Sequence, residues 1–156
     1  MAKKRNNAGN KINILPINKT ARLRSAQSHN SNINCLEVGD RGALNLQGAS
    51  IDEVKRGSHL SNCDSFKSVN KLIAKISILE ESGIILKQNQ RLRFHIGTTE
   101  VIGRISICND TNSQVGTPII CLIKLEHDVV TAFQDQCLVR TYSPMKIVGG
   151  GIVEDI

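Results

Sequence analysis

The run Arg91-Leu92-Arg93-Phe94-His95-Ile96 offers the clearest chemistry in the chain, because a basic side chain recurs at every second position. On an extended backbone successive side chains alternate, so Leu92, Phe94 and Ile96 share one face while Arg91, Arg93 and His95 share the other. A basic stripe of this kind can track phosphates, and each guanidinium can make bidentate contacts. A solvated outer strand face has the same pattern, so the stripe alone does not separate the two. Arg22 and Arg24 repeat the arrangement around Leu23.

Other candidate groups point away from catalysis. Gly149-Gly150-Gly151 would let a backbone come close to a phosphate, or would simply permit a bulge in a strand. His29, His59, His95 and His127 lack partners at metal-ligand spacing, and Ser58-His59 and His127-Asp128 are adjacencies rather than a triad. The five cysteines, Cys35, Cys63, Cys108, Cys121 and Cys137, are odd in number and never form a C-x-x-C pair. Neither a zinc site nor a disulfide framework is signalled, and reduced thiols in a cytoplasmic protein are expected. No metal site is expected. A Gly-x-x-x-x-Gly-Lys-Ser/Thr loop is absent, so these residues do not cradle a nucleotide triphosphate in the P-loop manner, and no cofactor or enzymatic activity is expected of them.

Charge is placed unevenly. The net charge is +6, yet residues 1–48 hold eight Lys/Arg against two acids while residues 49–156 hold twelve of each. An N-terminal basic excess suits a polyanionic partner, because cations near phosphates release counterions. A solubilising tail at Lys3, Lys4 and Arg5 is the plainer explanation. The longest strongly apolar run, Ile119 to Ile123, is too short to cross a bilayer as a helix, and no secretory apolar region follows Met1.

The elements that would position these groups read as short strands. Aromatic residues make up 3% of the chain, so a core must rest on Ile, Leu and Val, whose branched side chains favour extended structure. Residues 1–8 have no periodicity and read as a disordered basic tail. Alternation predicts strands over 11–15, 20–28 and 41–47, with Val38-Gly39-Asp40 as a turn and Pro16 closing the first strand. Ser50-Ile51-Asp52-Glu53 matches a capping box and predicts one or two helical turns, which explains the two adjacent acids without catalysis; Gly57 can close the turn. The pattern lapses over 61–70, placing a boundary near residue 65. Strands are then expected at 71–79, 91–97, 100–107, 118–125, 136–142 and 146–153, separated by turn residues such as Gly83, Gly97, Asn109 and Gly116. Many short strands without long amphipathic helices predict an all-β barrel or sandwich.

Together the motifs resemble one family. Ile14-Leu15-Pro16, Ala21 to His29, Gly39-Asp40-Arg41-Gly42-Ala43-Leu44-Asn45-Leu46-Gln47-Gly48 and Arg56-Gly57-Ser58-His59-Leu60 resemble, in order and spacing, the second half of domain two of the translational GTPases. Arg93 to Arg104 and Leu138-Val139-Arg140-Thr141-Tyr142-Ser143-Pro144, followed by Ile147 to Gly151, resemble domain three. The Tyr-Ser-Pro and triple-glycine ending is similar to the selenocysteine-specific elongation factors in particular. The likeness spans residues 9–156.

The resemblance implies two consecutive small β-barrels of the elongation factor Tu domain 2 and domain 3 type, the first over 9–64 and incomplete, the second over 65–156. It implies a body that supports an aminoacyl-tRNA, here selenocysteinyl-tRNA. Arg22 or Arg24 would fall on the strand that helps build the aminoacyl pocket, where a guanidinium suits a selenolate anion. Arg91, Arg93, Thr98, Thr99, Lys146 and Gly149 would fall where domain three faces tRNA. The family as a whole hydrolyses GTP, so GTP and Mg would belong to a missing domain, expected to be encoded separately. The opening strands of domain two and a C-terminal extension are also expected to be missing. Alternative readings are a body fragment of another translational-type GTPase, such as the sulfate adenylyltransferase GTPase subunit, whose ending should lack Tyr-Ser-Pro and Gly-Gly-Gly, or a non-functional truncated remnant.

Overall fold

A computed structural model describes residues 9–61, 66–108 and 116–156. The expected disordered tail, the boundary near residue 65 and the turn at Asn109 lie outside the described residues. The chain divides into two compact units, Met1–Phe66 and Lys67–Ile156.

In the second unit six antiparallel strands close into a barrel. They are β6 (Ser68–Ile78), β7 (Arg91–Ile96), β8 (Thr99–Ile107), β9 (Ile119–Val130), β10 (Gln136–Thr141) and β11 (Ile147–Asp155), in the order β10-β11-β6-β9-β8-β7. Alternation explains the closure. On β7, Leu92, Phe94 and Ile96 are buried while Arg91, Arg93 and His95 stay partly exposed. The inward set from the other strands includes Leu72, Ile76, Ile105, Ile119, Ile123 and Val139, all nearly inaccessible. Burying the Phe94 ring contributes about 1.5–3 kcal/mol. Gly103 makes room for it, since a Cβ there would stand 3.2 Å from Phe94 Cε2 and 2.9 Å from the Lys124 carbonyl oxygen.

The glycine triplet works in the same way. Gly149 is buried, and a Cβ added to it would lie 2.0 Å from the Ser77 carbonyl oxygen of β6. One residue of β11, Val148, is bulged out of the ladder where Val139 pairs with Gly149 and Arg140 with Ile147. Close strand approach beside a bulge is what these glycines permit.

The first unit holds β1 (Lys11–Leu15), β2 (Lys19–Ser28), β3 (Ser31–Ile33), β4 (Ala43–Gln47) and β5 (His59–Ser61). The sheet runs β3-β2-β1-β5, and β4 pairs with β2. It forms half of a barrel. Ile12, Ile14, Leu15, Ala21, Leu23 and Ala26 are its buried core. Among the described residues the outer edges of β4 and β5 have no strand partner, and Val38 and Ile51 are each 92% exposed. A 3-10 turn, Ile51–Glu53, stands where the capping box predicts a helical turn. The Glu53 carboxylate accepts from the Ser50 backbone N–H at 2.8 Å and from Lys19 Nζ at 2.6 Å.

Several boundaries differ from the sequence expectation. Strands β3 and β5 have three residues each, too few for alternation to register. Arg41 and Gly42 precede β4 rather than joining it. The polar run Glu126-His127-Asp128 does not end β9. The strand continues to Val130 because Ser68 and Val69 of β6 pair with Val130 and Val129 beyond an irregularity in the ladder.

Two outcomes follow from this architecture. Amide exchange should be faster across β4 and β5, with their open edges, than across β6 to β11; equal protection in the two units would contradict it. The Lys19 hydrogen bond, followed by that of the Ser50 backbone, lowers the Glu53 pKa to about 2. Its stabilising effect is therefore present above the unfolded carboxylate pKa and is lost as pH falls toward 2. Denaturant melts at pH 5 and pH 2.5 should show a smaller loss on acidification in Glu53→Gln than in the parent chain.

Candidate nucleic-acid interface

Barrel closure determines which outward side chains meet. Strand β7 lies between β8 and β10, with Arg93 paired to Ile102 on one side and Arg140 on the other. His95 pairs with Glu100 and Leu138 in the same manner. The basic stripe on β7 is thereby joined by a cation from a strand more than forty residues away in sequence. Just past β10, the Tyr142 ring receives the Arg91 guanidinium at 4.4 Å and the Arg93 guanidinium at 5.7 Å from its centroid. Cation–π contacts of this kind stabilise exposed sites by about 0.5–1 kcal/mol.

Two acids restrain the cluster. Arg91 donates to Glu126 through Nε at 2.8 Å and Nη2 at 3.0 Å, a bidentate pair, and Arg93 donates to Glu100. His95 Nδ1 lies 3.9 Å from the second oxygen of Glu100. The Arg93 hydrogen bond holds the Glu100 carboxyl below its ordinary range, and the Arg91 hydrogen bond does the same for Glu126. Glu126 in turn raises the Arg91 pKa. Arg91, Arg93, Arg104 and Arg140 thus face two carboxylates, so positive charge remains after pairing. Three nitrogens, Arg93 Nε, His95 Nε2 and Arg140 Nε, are buried without a hydrogen-bond partner among the described residues. The arrangement suits an anionic ligand with several acceptor oxygens.

The other candidates fall at different places. Thr98 is exposed in the two-residue β7–β8 connection, where Gly97 takes φ +56°, and Thr99 starts β8. Both stand at the end of β7 away from Tyr142. Lys146 is exposed in the β10–β11 connection, where its backbone N–H donates to Thr141 Oγ1 at 2.8 Å. Gly149 is buried, so its part is packing rather than surface contact. In the first unit Arg22 and Arg24 are exposed on either side of buried Leu23. Arg24 sits at a bulge in the β2–β4 ladder and donates from Nε to Gln47 Oε1 at 3.1 Å, while Arg22 pairs with Lys11 and Gln47. Arg140 and Tyr142 escape reasoning from alternation on β7; the Arg-Thr-Tyr run was their available signal. Among the described residues no group of His, Cys, Asp or Glu could hold a metal, and no helix is long and apolar enough to cross a membrane. Cys121 and Cys137 are buried, which pushes both thiols up to about 11.

Comparison with known proteins decides the lineage. Residues 73–156 match the family described as selenocysteine-specific elongation factor, beta-barrel domain. The chain belongs to the selenocysteine-specific elongation factor family. It is similar to the selenocysteine-specific elongation factor of Desulfomicrobium baculatum, at 25% identity over 92% of this chain and 23% of the relative. The factor of the same name from Methanocaldococcus jannaschii is 29% identical, over 94% of this chain and 35% of the relative. The crystal structure of a bacterial selenocysteine-specific elongation factor superposes with a TM-score of 0.79 at 28% identity, covering 94% of this chain and 23% of that one. The chain therefore spans about a quarter to a third of these relatives' length. The sequence expectation of an all-β, elongation-factor-type architecture, with one closed barrel and one half-barrel, agrees with that match.

Tyr142→Ala should release Arg91 and Arg93 from the ring and lower stability by about 1 kcal/mol, the scale of exposed cation–π contacts. In NMR spectra the Nε–H signals of both arginines should broaden or shift. Unchanged signals would show that the ring does not hold them.

Proposed function

We propose that this chain is the tRNA-binding body segment of a selenocysteine-specific elongation factor and takes part in selenocysteine incorporation. Family membership supports the lineage, and one observation carries the binding role: the cluster of Arg91, Arg93, Arg140 and Tyr142, cationic beyond its two acids. Phosphate oxygens are acceptors that guanidinium groups can engage in pairs. Arg93 and Arg91 contact the RNA backbone, with Lys146 beside them and Thr98 and Thr99 at the far end of the same strand pair. Gly149 contributes by letting β11 press against β6 and makes no contact itself. Residues 9–64 act as a partial domain-2-type barrel and residues 65–156 as the domain-3-type barrel.

Arg22 and Arg24 serve the aminoacylated end. A selenol is ionised at neutral pH, and a guanidinium stabilises that anion while a serine hydroxyl gains nothing comparable. GTP binding and hydrolysis reside in a GTPase domain outside residues 1–156, and the factor works in the cytoplasm.

Gel-shift titration with selenocysteinyl-tRNA and with the same tRNA charged with serine tests the reading. Selenocysteinyl-tRNA should bind more tightly, and Arg22→Ala with Arg24→Ala should erase the difference. Arg93→Ala should weaken both complexes alike, by roughly 1.5–3 kcal/mol for a lost charged hydrogen bond. Failure to bind either tRNA, with and without a GTPase domain, would overturn the proposal.

A further inference from the structure

Outward cations on the second barrel do not stop at the Tyr142 cluster. Arg91 of β7 is in register with Arg104 of β8, Arg104 with Lys124 of β9, and Lys124 with Lys71 of β6. Four neighbouring strands therefore each place a cation at one level of the barrel. With strands about 4.8 Å apart, the row is roughly 14 Å long. Arg104, Lys124 and Lys71 are exposed. The Arg104 guanidinium is fixed through Nη1 to the Asn89 carbonyl oxygen at 3.0 Å. Neither lysine has an ion-pair partner among the described residues. The acids near the row include Glu126, already engaged by Arg91, Asp128, which lies in the β9 irregularity next to the Lys124–Lys71 pair, and Asp155, paired in register with Ile73.

Like charges directly opposite on paired strands are destabilising, by a few tenths of a kcal/mol to about 1 kcal/mol per pair. Of the three such pairs in succession, Arg91 with Arg104 is offset by Glu126, while Arg104 with Lys124 and Lys124 with Lys71 work against the fold. A polyanion laid across the strands would reverse the sign, since each phosphate would sit between cations. We propose that Arg104, Lys124 and Lys71 form a second RNA-backbone contact, continuous with the Tyr142 cluster through Arg91 and carried around the barrel onto β6. The row rests on the tRNA-binding reading for its partner class. It adds a path, across β8, β9 and β6, and residues that sequence alternation did not single out. Nucleic acid is favoured over an acidic protein because the row continues a surface rich in arginine with no break between the two, and a sugar–phosphate strand is the ligand whose charges recur regularly along such a path.

The full chain, titrated with a twelve-base-pair RNA duplex of unrelated sequence at KCl concentrations from 50 to 200 mM, tests the row separately from tRNA selectivity. The triple variant Arg104→Gln, Lys124→Gln, Lys71→Gln should reduce the steepness of log K against log salt by roughly 2 to 3, and should weaken binding on the order of tenfold at 100 mM. Its melting temperature should change little, because the Arg104–Asn89 hydrogen bond lost is offset by relief of the like-charge pairs. The double variant Lys124→Gln, Lys71→Gln, which removes no such bond, should melt level with or above the parent, and a fall there would indicate a structural role and overturn the proposal. An unchanged salt slope, or no duplex binding by the parent chain, would also overturn it. Poly-L-glutamate competing as well as the duplex at equal charge would overturn the assignment to nucleic acid. Duplex binding that depends on the row, without preference for selenocysteinyl-tRNA, would leave the row standing and count against the proposed function alone.

Discussion

Closure of the second barrel through the β7–β10 pairing is the constraint on which the rest depends. A closed antiparallel barrel has no free edge, so every residue on its strands is committed to an inside or an outside. The inside must be filled by side chains, and Phe94, Leu92, Ile76 and Ile123 fill it. That commitment then dictates the outside. Once Leu92 and Phe94 point inward, Arg91 and Arg93 have no alternative to facing out, and their neighbours are whatever β8 and β10 place opposite them. Arg140 beside Arg93 is a consequence of ladder register, and so is Arg104 beside Arg91.

Closure also explains where glycine is indispensable. The barrel is tight between β11 and β6, where a single added Cβ at Gly149 would meet the Ser77 carbonyl oxygen at 2.0 Å. It is tight again between β8 and β9 under Gly103, where the Phe94 ring takes up the space. Both glycines serve the core. The bulge at Val148 then lets consecutive residues Val148 and Gly149 be buried together, which strict alternation forbids. Tyr142 reaches the arginines of β7 through the other side of β10, where unbroken pairing from Cys137 with Ile96 to Thr141 with Leu92 delivers the next residue beside Arg91.

How much of this was legible in the sequence varied with the range of the interaction. Strand existence was readable wherever alternation ran for five residues or more, as in Lys11–Leu15 and Arg91–Ile96, because periodicity is local. Three-residue strands such as Ser31–Ile33 were not, and the end of β9 was hidden by the polar Glu126-His127-Asp128 run. The capping box at Ser50 was legible since its partners lie three residues apart, yet the Lys19 contact that depresses the Glu53 pKa spans 34 residues and left no local trace. The same holds for the surface. Alternation put Arg91, Arg93 and His95 on one face, but only ladder register could add Arg140, Tyr142 and Arg104. Gly149 shows how two readings of one run separate: the triplet allowed either a close phosphate approach or a bulge, and the β11 bulge with Gly149 buried against β6 accords with the second.

The two units differ in how well they can hold a charged group in place, and this difference bears on recognition. In the closed barrel Arg91 and Arg93 are each held by a carboxylate and by the Tyr142 ring, on a strand with a packed core beneath it. Arg22 and Arg24 of the half-barrel rest on a strand whose neighbour β4 has an outer edge without a described partner, and Arg24 lies at a bulge with one glutamine contact. Preorganised donors bind with less entropic loss than mobile ones. Backbone contacts, which need many fixed cations and no discrimination between ligands, are therefore best served by the closed barrel. Selective recognition needs few groups placed with greater accuracy, and in the half-barrel the placement of Arg22 and Arg24 depends on how the β4 edge is held.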